Sequence, residues 1–328
     1  MSHRIAVLRG GPSSEYDVSL KSGRSVIDTL NNSDADYKIV DITIDKSGKW
    51  YKSGIEFSPI EALKEIDLVF NAMHGEFGED GKVQQLLHSL NKPFTGPKAL
   101  GAALAMHKAK AKEIYKEYGL KTPKYFVLDK SADIEKSALE IFRAMQMPVI
   151  IKPVGSGSSV GISIARDYES LVETLISLFV YSDKLLIEEY IEGKEGTVGV
   201  IEKFRNKNIY PLLPVEIIPP KEKDFFDYEC KYDGSTEEIC PGSFSREESE
   251  MMQEAAIKAH EALGLRHYSR TDFIVHPRRG IFVLETNSLP GLTSESLLPK
   301  SLEPIGSNYE EFLNHVINLA LDEGRRHP

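Results

Sequence analysis

The stretch from Arg270 to Asn287 constrains the fold of this chain most, because two strand-like runs flank one short segment of turn-forming residues. That segment, residues 277–280, contains a proline and a glycine, which favour a tight turn. We therefore predict a β-hairpin with a four-residue turn in which His276 pairs with Ile281. Side chains two residues apart along each strand then lie on the same face.

This register would place four polar side chains on one face of the hairpin. Asp272 would lie opposite Glu285, and Arg270 would lie opposite Asn287. Two directly opposed acids destabilise a sheet unless something compensates for their charge. Carboxylate and amide oxygens are hard ligands that suit magnesium. The pattern predicts a metal site of Asp272, Glu285 and Asn287, with a solvated acid pair screened by Arg270 as the alternative.

The N-terminal part of the chain alternates strand-like and helix-like segments. An apolar strand at Arg4–Leu8 and a helix from about Val18 to Leu30 precede a second apolar strand at Ile66–Phe70. An amphipathic helix is predicted near residues 83–90 from its apolar spacing. This alternation predicts a parallel sheet, in which ligands bind beyond the carboxyl ends of the strands.

Two glycine-containing loops follow those strands, at Gly10–Glu15 and His74–Gly81. The first loop lacks the glycine spacing of a nicotinamide dinucleotide site, which argues against a dehydrogenase. Glu15 fits an ordinary acid at a helix start, or a carboxylate that receives a substrate ammonium. The second loop is acidic and dense in glycine, which by itself predicts only a tight loop.

A third glycine-rich segment, Lys152–Gly161, lies between two strand-like runs. Its glycines would let backbone N–H groups approach an anion closely. It is not a Walker A loop, because no Gly-Lys-Ser/Thr sequence and no helix follow. Lys152 stands in an otherwise apolar strand and needs an anionic partner. The segment therefore favours a flexible lid over phosphate, with a plain hairpin turn as the alternative.

The remainder of the chain contains residues that predict where helices begin and end. Leu100–Tyr118 is predicted to be one helix that ends at Gly119. Ser245 and Ser307 are each followed by a glutamate three residues later, which predicts a capping box at the start of two further helices.

The bulk properties limit the function classes. The chain has 328 residues, and we expect three domains at 1–96, 97–187 and 188–328. Its net charge of −10 argues against a nucleic-acid partner. No signal-like start and no apolar stretch of roughly 20 residues is visible. With only two cysteines, we expect a cytoplasmic protein with reduced thiols and no membrane partner.

Together these motifs resemble, in order and over nearly the whole chain, those of ATP-grasp enzymes of the D-alanine–D-alanine ligase family. The matching segments are Gly10–Leu20, His74–Gly81, Lys152–Gly161, Asp272 and Glu285–Ser296. The resemblance implies an α/β fold, α+β in the ATP-grasp part, with three domains. An N-terminal parallel α/β sheet would be joined to two domains that clamp ATP, one with the glycine-rich loop and one with the metal site and an ω-loop.

The resemblance also implies roles at the nucleotide. Asp272, Glu285 and Asn287 would hold two magnesium or manganese ions, with Glu285 bridging them. Other contacts with ATP would come from three lysines, three residues of the glycine-rich loop and two strand glutamates: Lys108, Lys152, Lys231, Gly157, Ser158, Ser159, Glu188 and Glu195.

Further implied roles concern the amino-acid substrates. Glu15 would bind the ammonium of a first D-alanine near His74. Ser158 and Tyr232 would hydrogen-bond with Glu15 across the closed site. The remaining groups would face the developing oxyanion or hold the carboxylate of a second D-alanine: Arg270, the backbone N–H of Gly291, and Ser296.

The implied activity is ATP-dependent ligation of two D-alanines through an acyl phosphate, by a cytoplasmic homodimer that supplies a peptidoglycan precursor. Tyr232 resembles dipeptide-forming members of the family. Two departures, Glu189 in place of a lysine and Glu295 in place of a histidine, bear on the adenine contacts and the second substrate. A ligase making D-alanyl-D-serine or D-alanyl-D-lactate, and a non-catalytic ATP-binding protein, are the alternatives.

Overall fold

The computed structural model describes residues 2–155, 161–220 and 236–326. Five residues that were predicted to contact ATP or close the site lie outside these ranges: Gly157, Ser158, Ser159, Lys231 and Tyr232. Cys240 is a free, half-buried thiol, and Cys230 also lies outside the described ranges. In the described part, no helix has the length and apolar character that crossing a bilayer requires.

The N-terminal part is built on a five-stranded sheet. Its elements are β1 (His3–Gly10), α1 (Tyr16–Asn31), β2 (Tyr37–Ile44), β3 (Trp50–Lys52), β4 (Ile55–Phe57), α2 (Pro59–Ala62), β5 (Leu68–Asn71) and α3 (Lys82–Ser89). The strand order is β4-β3-β2-β1-β5, and β1 runs parallel to both β2 and β5. This parallel centre confirms the α/β prediction. The loops after β1 and β5 leave from neighbouring strands at the same edge of the sheet.

The central part contains a four-stranded antiparallel sheet. Its elements are α4 (Ala99–Met106), α5 (Lys108–Glu117), β6 (Tyr125–Asp129), α6 (Ile134–Ala144), β7 (Val149–Pro153), β8 (Ser163–Ala165), α7 (Tyr168–Leu178) and β9 (Lys184–Glu189). The strand order is β6-β9-β7-β8. Helices α6 and α7 share a buried apolar core with this sheet. The glycine-rich segment therefore connects two paired strands, β7 and β8.

The prediction of one helix from Leu100 to Tyr118 is wrong, because two helices form. His107 separates them with φ −87° and ψ 89°, outside the helical region. The backbone N–H of Lys108 donates to Val154 O at 3.1 Å. A contact with the end of β7 thus takes an N–H that a continuous helix would use internally. The break places Lys108 at the start of α5.

The C-terminal part is built on a six-stranded sheet. Its elements are β10 (Lys194–Glu202), β11 (Ile209–Pro211), β12 (Val215–Ile218), β13 (Glu237–Ile239), α8 (Arg246–Ala262), β14 (Tyr268–His276), β15 (Gly280–Asn287), α9 (Leu297–Lys300), a 3₁₀ turn (Glu303–Ile305) and α10 (Tyr309–Arg326). The order is β13-β12-β10-β14-β15, with β11 also paired to β10. Strand β14 therefore lies inside the sheet, between β10 and β15.

One predicted helix start is confirmed and one is shifted. Ser245 caps α8 in a full capping box. The capping box predicted from Ser307 is wrong, because α10 begins at Tyr309. Asn308 Oδ1 instead accepts the backbone N–H of Glu311 at 2.8 Å. Asparagine caps helices as well as serine does, so the neighbouring residue took the role.

Buried cores join the three parts of the molecule. Phe312 of α10 shares a core with Ile5 of β1. Tyr115 of α5 shares another core with Phe273 of β14. Strand β9 crosses the predicted boundary at 187/188, and the domain limits 1–96, 97–187 and 188–328 stay a prediction.

Candidate active site

Strands β14 and β15 form the predicted hairpin and bring four polar side chains together. Asp272 pairs with Glu285, and Arg270 pairs with Asn287. Arg270 donates from Nε to Asp272 Oδ1 and from Nη2 to Asp272 Oδ2, both at 3.0 Å. Asn287 Nδ2 donates to Asp272 Oδ2 at 2.9 Å. The predicted register is therefore confirmed at this end of the hairpin.

The turn end of the hairpin differs from the prediction. His276 pairs with Gly280 rather than with Ile281, so the turn has three residues, and the predicted pair is wrong. Gly280 has φ +76°, a left-handed conformation that favours glycine. A β-bulge between Asp272 and Phe273 then shifts the register by one residue and restores the predicted pairs at the site.

Asp272 is 8% exposed and has donors on both carboxylate oxygens. Thr197, its partner on the neighbouring strand β10, donates from Oγ1 to Asp272 Oδ1 at 2.5 Å. Together with Arg270 and Asn287, this hydroxyl offsets the cost of burying the charge. The two-point contact with Asp272 also fixes the orientation of the Arg270 guanidinium.

Glu285 contacts a cation from another element. Lys108 Nζ, at the start of α5, lies 3.1 Å from Glu285 Oε2. Asp272, Glu285 and Asn287 together supply hard oxygen ligands, and this donor set fits magnesium. Within the described ranges, no three His, Cys, Asp or Glu side chains form a metal-ligand group. A metal at this place would therefore depend on the Asn287 amide as well as on the two acids.

Lys152 belongs to a buried lysine–glutamate triad, which consists of Lys112, Glu188 and Lys152. Lys152 Nζ lies 2.6 Å from Glu188 Oε2, and Lys112 Nζ contacts Glu188 Oε1. Lys112 also donates to Thr122 Oγ1 at 2.7 Å. The three side chains are nearly inaccessible, with exposures of 0% for Lys112, 2% for Glu188 and 6% for Lys152.

The charged groups of the triad shift one another's pKa values. Burial, with the neighbouring charge of Lys152, lowers the pKa of Lys112 to about 8, although Glu188 opposes this shift. Burial lowers the pKa of Lys152, but the carboxylates of Glu188 and Glu285 together outweigh it and raise this pKa. The two ammonium groups likewise outweigh burial and lower the pKa of Glu188. The triad is therefore predominantly ionised at neutral pH, with one excess positive charge.

A first cavity of about 350 Å³ opens beside the triad. Lys152, Glu188 and Glu195 line it together with Asp272 and Glu285. The other walls are largely apolar and include Ile150, Ile162, Ile217, Ile274 and Leu284. A flat apolar group next to an anionic group would match these walls.

Glu189, the first departure from the family pattern, also lines the first cavity. Arg279 Nη2 lies 3.1 Å from both of its carboxylate oxygens. The backbone N–H of Lys124 donates to Glu189 Oε1 at 2.9 Å. An arginine of the hairpin turn therefore offsets the charge of this glutamate.

A second cavity of about 670 Å³ lies on the other side of the hairpin residues. Its lining brings together the predicted substrate residues Glu15, His74, Arg270, Gly291 and Ser296 with the phosphate lysine Lys108. Arg270 and Glu285 line both cavities, so the two spaces meet at the metal-ligand set.

His74 is buried between α1 and the segment that follows β15. Its Nε2 lies 2.7 Å from Ser22 Oγ, and its Nδ1 lies 3.1 Å from Leu289 O. Burial lowers the pKa of His74 to about 4, so the ring is neutral at pH 7. Because a carbonyl can only accept, Nδ1 carries the proton and Nε2 accepts from Ser22. His74 therefore ties together two walls of the second cavity.

Glu15 precedes α1 and faces a second acid, Glu79. The Gly75 N–H donates to Glu79 Oε2 at 2.6 Å. Burial and the Glu15 charge raise the pKa of Glu79 to about 8. A side chain at Gly75 would place Cβ 2.8 Å from Glu15 Oε2, which explains the glycine there. At neutral pH Glu79 is therefore mainly protonated beside Glu15.

Ser296 lies beside Gly291 at the other end of the second cavity. Ser296 Oγ is 3.1 Å from Thr293 N and 2.9 Å from Thr293 Oγ1. A Cβ at Gly291 would lie 2.8 Å from Ser296 Oγ, so the close approach requires glycine. Glu295, the second departure, is exposed and lies 3.3 Å from Lys300 Nζ.

The residues that the sequence analysis missed include Glu79, Lys300 and Lys112. Glu79 lies within a loop that was singled out, but its position gave no sign that it would face Glu15. Lys300 binds Glu238 at 3.1 Å, a pairing between distant segments. Lys112 follows Lys108 by four residues on α5. The helical period therefore predicts that Lys112 lies on the same face of α5 as Lys108, and this was the one signal that could have identified it.

Comparisons with known proteins cover nearly the whole chain. The family profile described as D-ala D-ala ligase C-terminus matches residues 114–318, and that described as D-ala D-ala ligase N-terminus matches residues 4–61 and 52–97. A D-alanine--D-alanine ligase of Halalkalibacterium halodurans is 39% identical over 97% of this chain and 99% of that protein. One of Syntrophobacter fumaroxidans is 36% identical over 97% and 98%.

Solved structures are also similar. The D-alanine--D-alanine ligase of Bacillus anthracis complexed with ATP has a TM-score of 0.82 and 30% identity, covering 100% of both chains. The VanG D-Ala:D-Ser ligase of Enterococcus faecalis has a TM-score of 0.84 and 29% identity, covering 98% of this chain and 100% of the other.

Proposed function

The chain belongs to the D-alanine–D-alanine ligase family, and we propose that it joins two D-alanine molecules while ATP is converted to ADP and phosphate. One observation carries the proposal: the first and second cavities meet at Arg270 and Glu285. A nucleotide in the first cavity and amino acids in the second would place a phosphoryl donor beside a carboxylate.

The first cavity is assigned to ATP. Its apolar walls suit a purine, and Lys152 supplies positive charge for phosphate. Lys108 supplies a second ammonium where the cavities meet. Mg²⁺ or Mn²⁺ held by Asp272, Glu285 and Asn287 would neutralise and orient the phosphates. A similar structure, a D-alanine--D-alanine ligase of Bacillus anthracis, was solved in complex with ATP, which supports ATP as the nucleotide.

The second cavity is assigned to the amino acids. Glu15, with Glu79 beside it, would bind the ammonium of the first D-alanine. Ser296 would hydrogen-bond the carboxylate of the second D-alanine. His74, neutral and bound to Ser22 and Leu289, would keep the walls in place without adding charge.

The chemistry follows from this placement. The carboxylate of the first D-alanine attacks the γ-phosphorus, ADP leaves, and an acyl phosphate forms. The amine of the second D-alanine then attacks the acyl carbon, loses a proton, and phosphate departs. Arg270, oriented by Asp272, and the Gly291 N–H would donate to the oxyanion. Losing one such donor costs on the order of 10²–10³ in rate.

Several finer assignments belong to the same proposal. The glycine-rich loop with Gly157, Ser158 and Ser159, and the segment with Lys231 and Tyr232, lie outside the described residues. Their roles in contacting phosphate and closing the site are carried over from the family. A homodimeric state and a cytoplasmic location in peptidoglycan precursor synthesis are proposed on the same basis.

A second candidate is ligation of D-alanine to D-serine. The similarity to the VanG D-Ala:D-Ser ligase supports keeping it, since its TM-score matches those of the D-alanine ligases. The substitution of Glu295 near Ser296 bears on the same choice.

The test measures phosphate release with ATP, magnesium and D-alanine, followed by D-serine or D-lactate as the second substrate. We expect turnover that requires D-alanine and yields D-alanyl-D-alanine as the main product. Turnover only with D-serine or D-lactate would favour a related ligase. Nucleotide binding without D-alanine-dependent ADP release would overturn the ligase proposal.

A further inference from the structure

Lys112 is part of the triad but not of either cavity. Lys152 and Glu188 line the first cavity, whereas Lys112 is absent from the lining of both cavities. It is fully buried on α5, behind Glu188, and its Nζ also contacts Thr122 Oγ1. Lys112 therefore contacts the lining of the first cavity through Glu188.

The backbone geometry explains how Glu188 can serve both lysines. Strand β9 pairs with β7 so that Glu188 lies opposite Ile150, two residues from Lys152 on the same face. One carboxylate oxygen of Glu188 thus contacts Lys152, its diagonal neighbour on the sheet. The other carboxylate oxygen points toward α5. Lys112 reaches that second oxygen from the helix.

We propose that Lys112 is a positioning residue for ATP: it holds Glu188 so that this carboxylate anchors Lys152 without neutralising it. With Lys112 in place, one carboxylate is shared between two ammonium groups, and Lys152 keeps positive charge for phosphate. Without Lys112, Glu188 would pair with Lys152 alone, and the pair would be neutral. The inference rests on the nucleotide part of the proposed function, not on the identity of the amino acids.

The test is Lys112→Met, which keeps the length of the side chain and removes its charge. We expect the Kd for ATP, measured by calorimetry without amino acid, to rise about tenfold, as for loss of one nearby unit charge in a low-dielectric site. The KM for ATP should rise in parallel, while kcat at saturating ATP and the KM for D-alanine change less. A purely structural role would lower stability without this split.

The matched control is Lys116→Met, one turn further along α5. Lys116 is exposed and lies over the Tyr125 ring, so its loss should leave the Kd for ATP unchanged. Lys112→Arg keeps the charge and should retain most of the affinity. If Lys112→Met does not fold, Lys112→Gln removes the charge with a polar group retained and is compared in the same way.

A folded Lys112→Met or Lys112→Gln protein with unchanged Kd for ATP would overturn the inference, as would an equal loss in Lys116→Met. This outcome is distinct from failure of the ligase proposal. Absence of D-alanine-dependent turnover in the wild-type protein would leave the ATP-binding comparison intact.

Discussion

Two clusters of charged side chains differ in which groups compensate their charge. In the triad of Lys112, Glu188 and Lys152, one carboxylate faces two ammonium groups, and two members line the first cavity. The junction cluster consists of Arg266, His267, Glu202 and Glu323, and none of these four lines either cavity. Both clusters are buried or largely buried, so burial alone does not mark the functional one.

Hydrogen bonds connect the junction cluster to backbone groups of both the N-terminal and the C-terminal parts. Arg266 donates to Gly96 O at 2.6 Å and to Phe94 O at 2.7 Å, and it contacts the Glu323 carboxylate. The backbone N–H of His267 donates to Glu202 Oε2 at 2.7 Å. These contacts join the end of the N-terminal part to the C-terminal sheet.

The difference is one of the sign of the excess charge and of access: the triad has one excess positive charge beside a cavity, whereas the junction cluster has more carboxylates than cations and lines neither cavity. The junction cluster matches its guanidinium with carboxylates and backbone carbonyls, which is what a structural cluster requires. The triad leaves positive charge beside a cavity, and a ligand with negative charge would complete it. An unbalanced buried charge that reaches a cavity is therefore the better sign of a binding site.

The largest expected effect comes from the metal-ligand set where the cavities meet. Glu285→Gln removes the charge of the acid that faces Asp272 and Lys108. We expect turnover to fall on the order of 10³-fold, because phosphoryl transfer depends on charge neutralisation. The measurement is phosphate release at saturating magnesium.

Its control is Glu254→Gln, an exposed acid on α8. Both variants should keep the wild-type melting temperature within a few degrees. Near-normal turnover of Glu285→Gln would remove Glu285 from the metal set and weaken the contrast between the two clusters.

The second-largest effect concerns His74, a buried residue of the second cavity that is uncharged at neutral pH. The pKa of His74 is lowered to about 4, against about 6.5 for a free histidine. Unfolded protein therefore binds a proton before folded protein does, so stability is full above pH 6.5 and falls as pH drops toward 4. The loss should be about 3 kcal/mol, read from urea unfolding at several pH values.

His74→Gln should flatten this pH dependence, whereas the exposed His88→Gln should not. An unchanged slope in His74→Gln would show that folding does not lower the pKa of His74, and it would contradict a ring kept neutral by burial.

The smallest effect belongs to the junction cluster. Glu323→Gln should lower the free energy of unfolding by about 1–2 kcal/mol, because a partly buried ion pair with Arg266 is lost. The Kd for ATP should stay the same. Asp322→Asn, an exposed neighbour on α10, is the control for the stability measurement.

The pH dependence of this variant has a defined sign. The hydrogen bond from His267 and the nearby charges lower the pKa of Glu323 to about 2. Its contribution is full above the ordinary range near 4.5 and is lost as pH falls toward 2. The stability difference between the wild type and Glu323→Gln should therefore shrink in acid. A constant difference would contradict the lowered pKa of Glu323. A weaker affinity for ATP would contradict a purely structural role.

The hairpin part of the site could be predicted from the sequence because its residues are close together along the chain. The hairpin, its opposed acids and the capping box at Ser245 depend on periodicity and turn residues within a few positions. The parallel centre of the first sheet likewise followed from alternating strands and helices. The order of the motifs indicated the family.

Other features depend on contacts that local sequence does not encode. The bulge after Asp272 compensates for the three-residue turn and restores the predicted pairs. The contact of Lys108 with Val154 interrupts a helix that the sequence pattern predicts to continue. Glu79 facing Glu15 and Lys112 facing Glu188 were likewise invisible in the pattern.

The sequence by itself determined the alternating strands and helices of the N-terminal part, and which polar groups the hairpin places side by side. Only the tertiary structure decided that two cavities meet at that hairpin, and which buried charges balance one another. The physical reason is range: backbone preference and side-chain period act over a few residues, whereas Coulomb interactions and packing join residues that folding alone brings together.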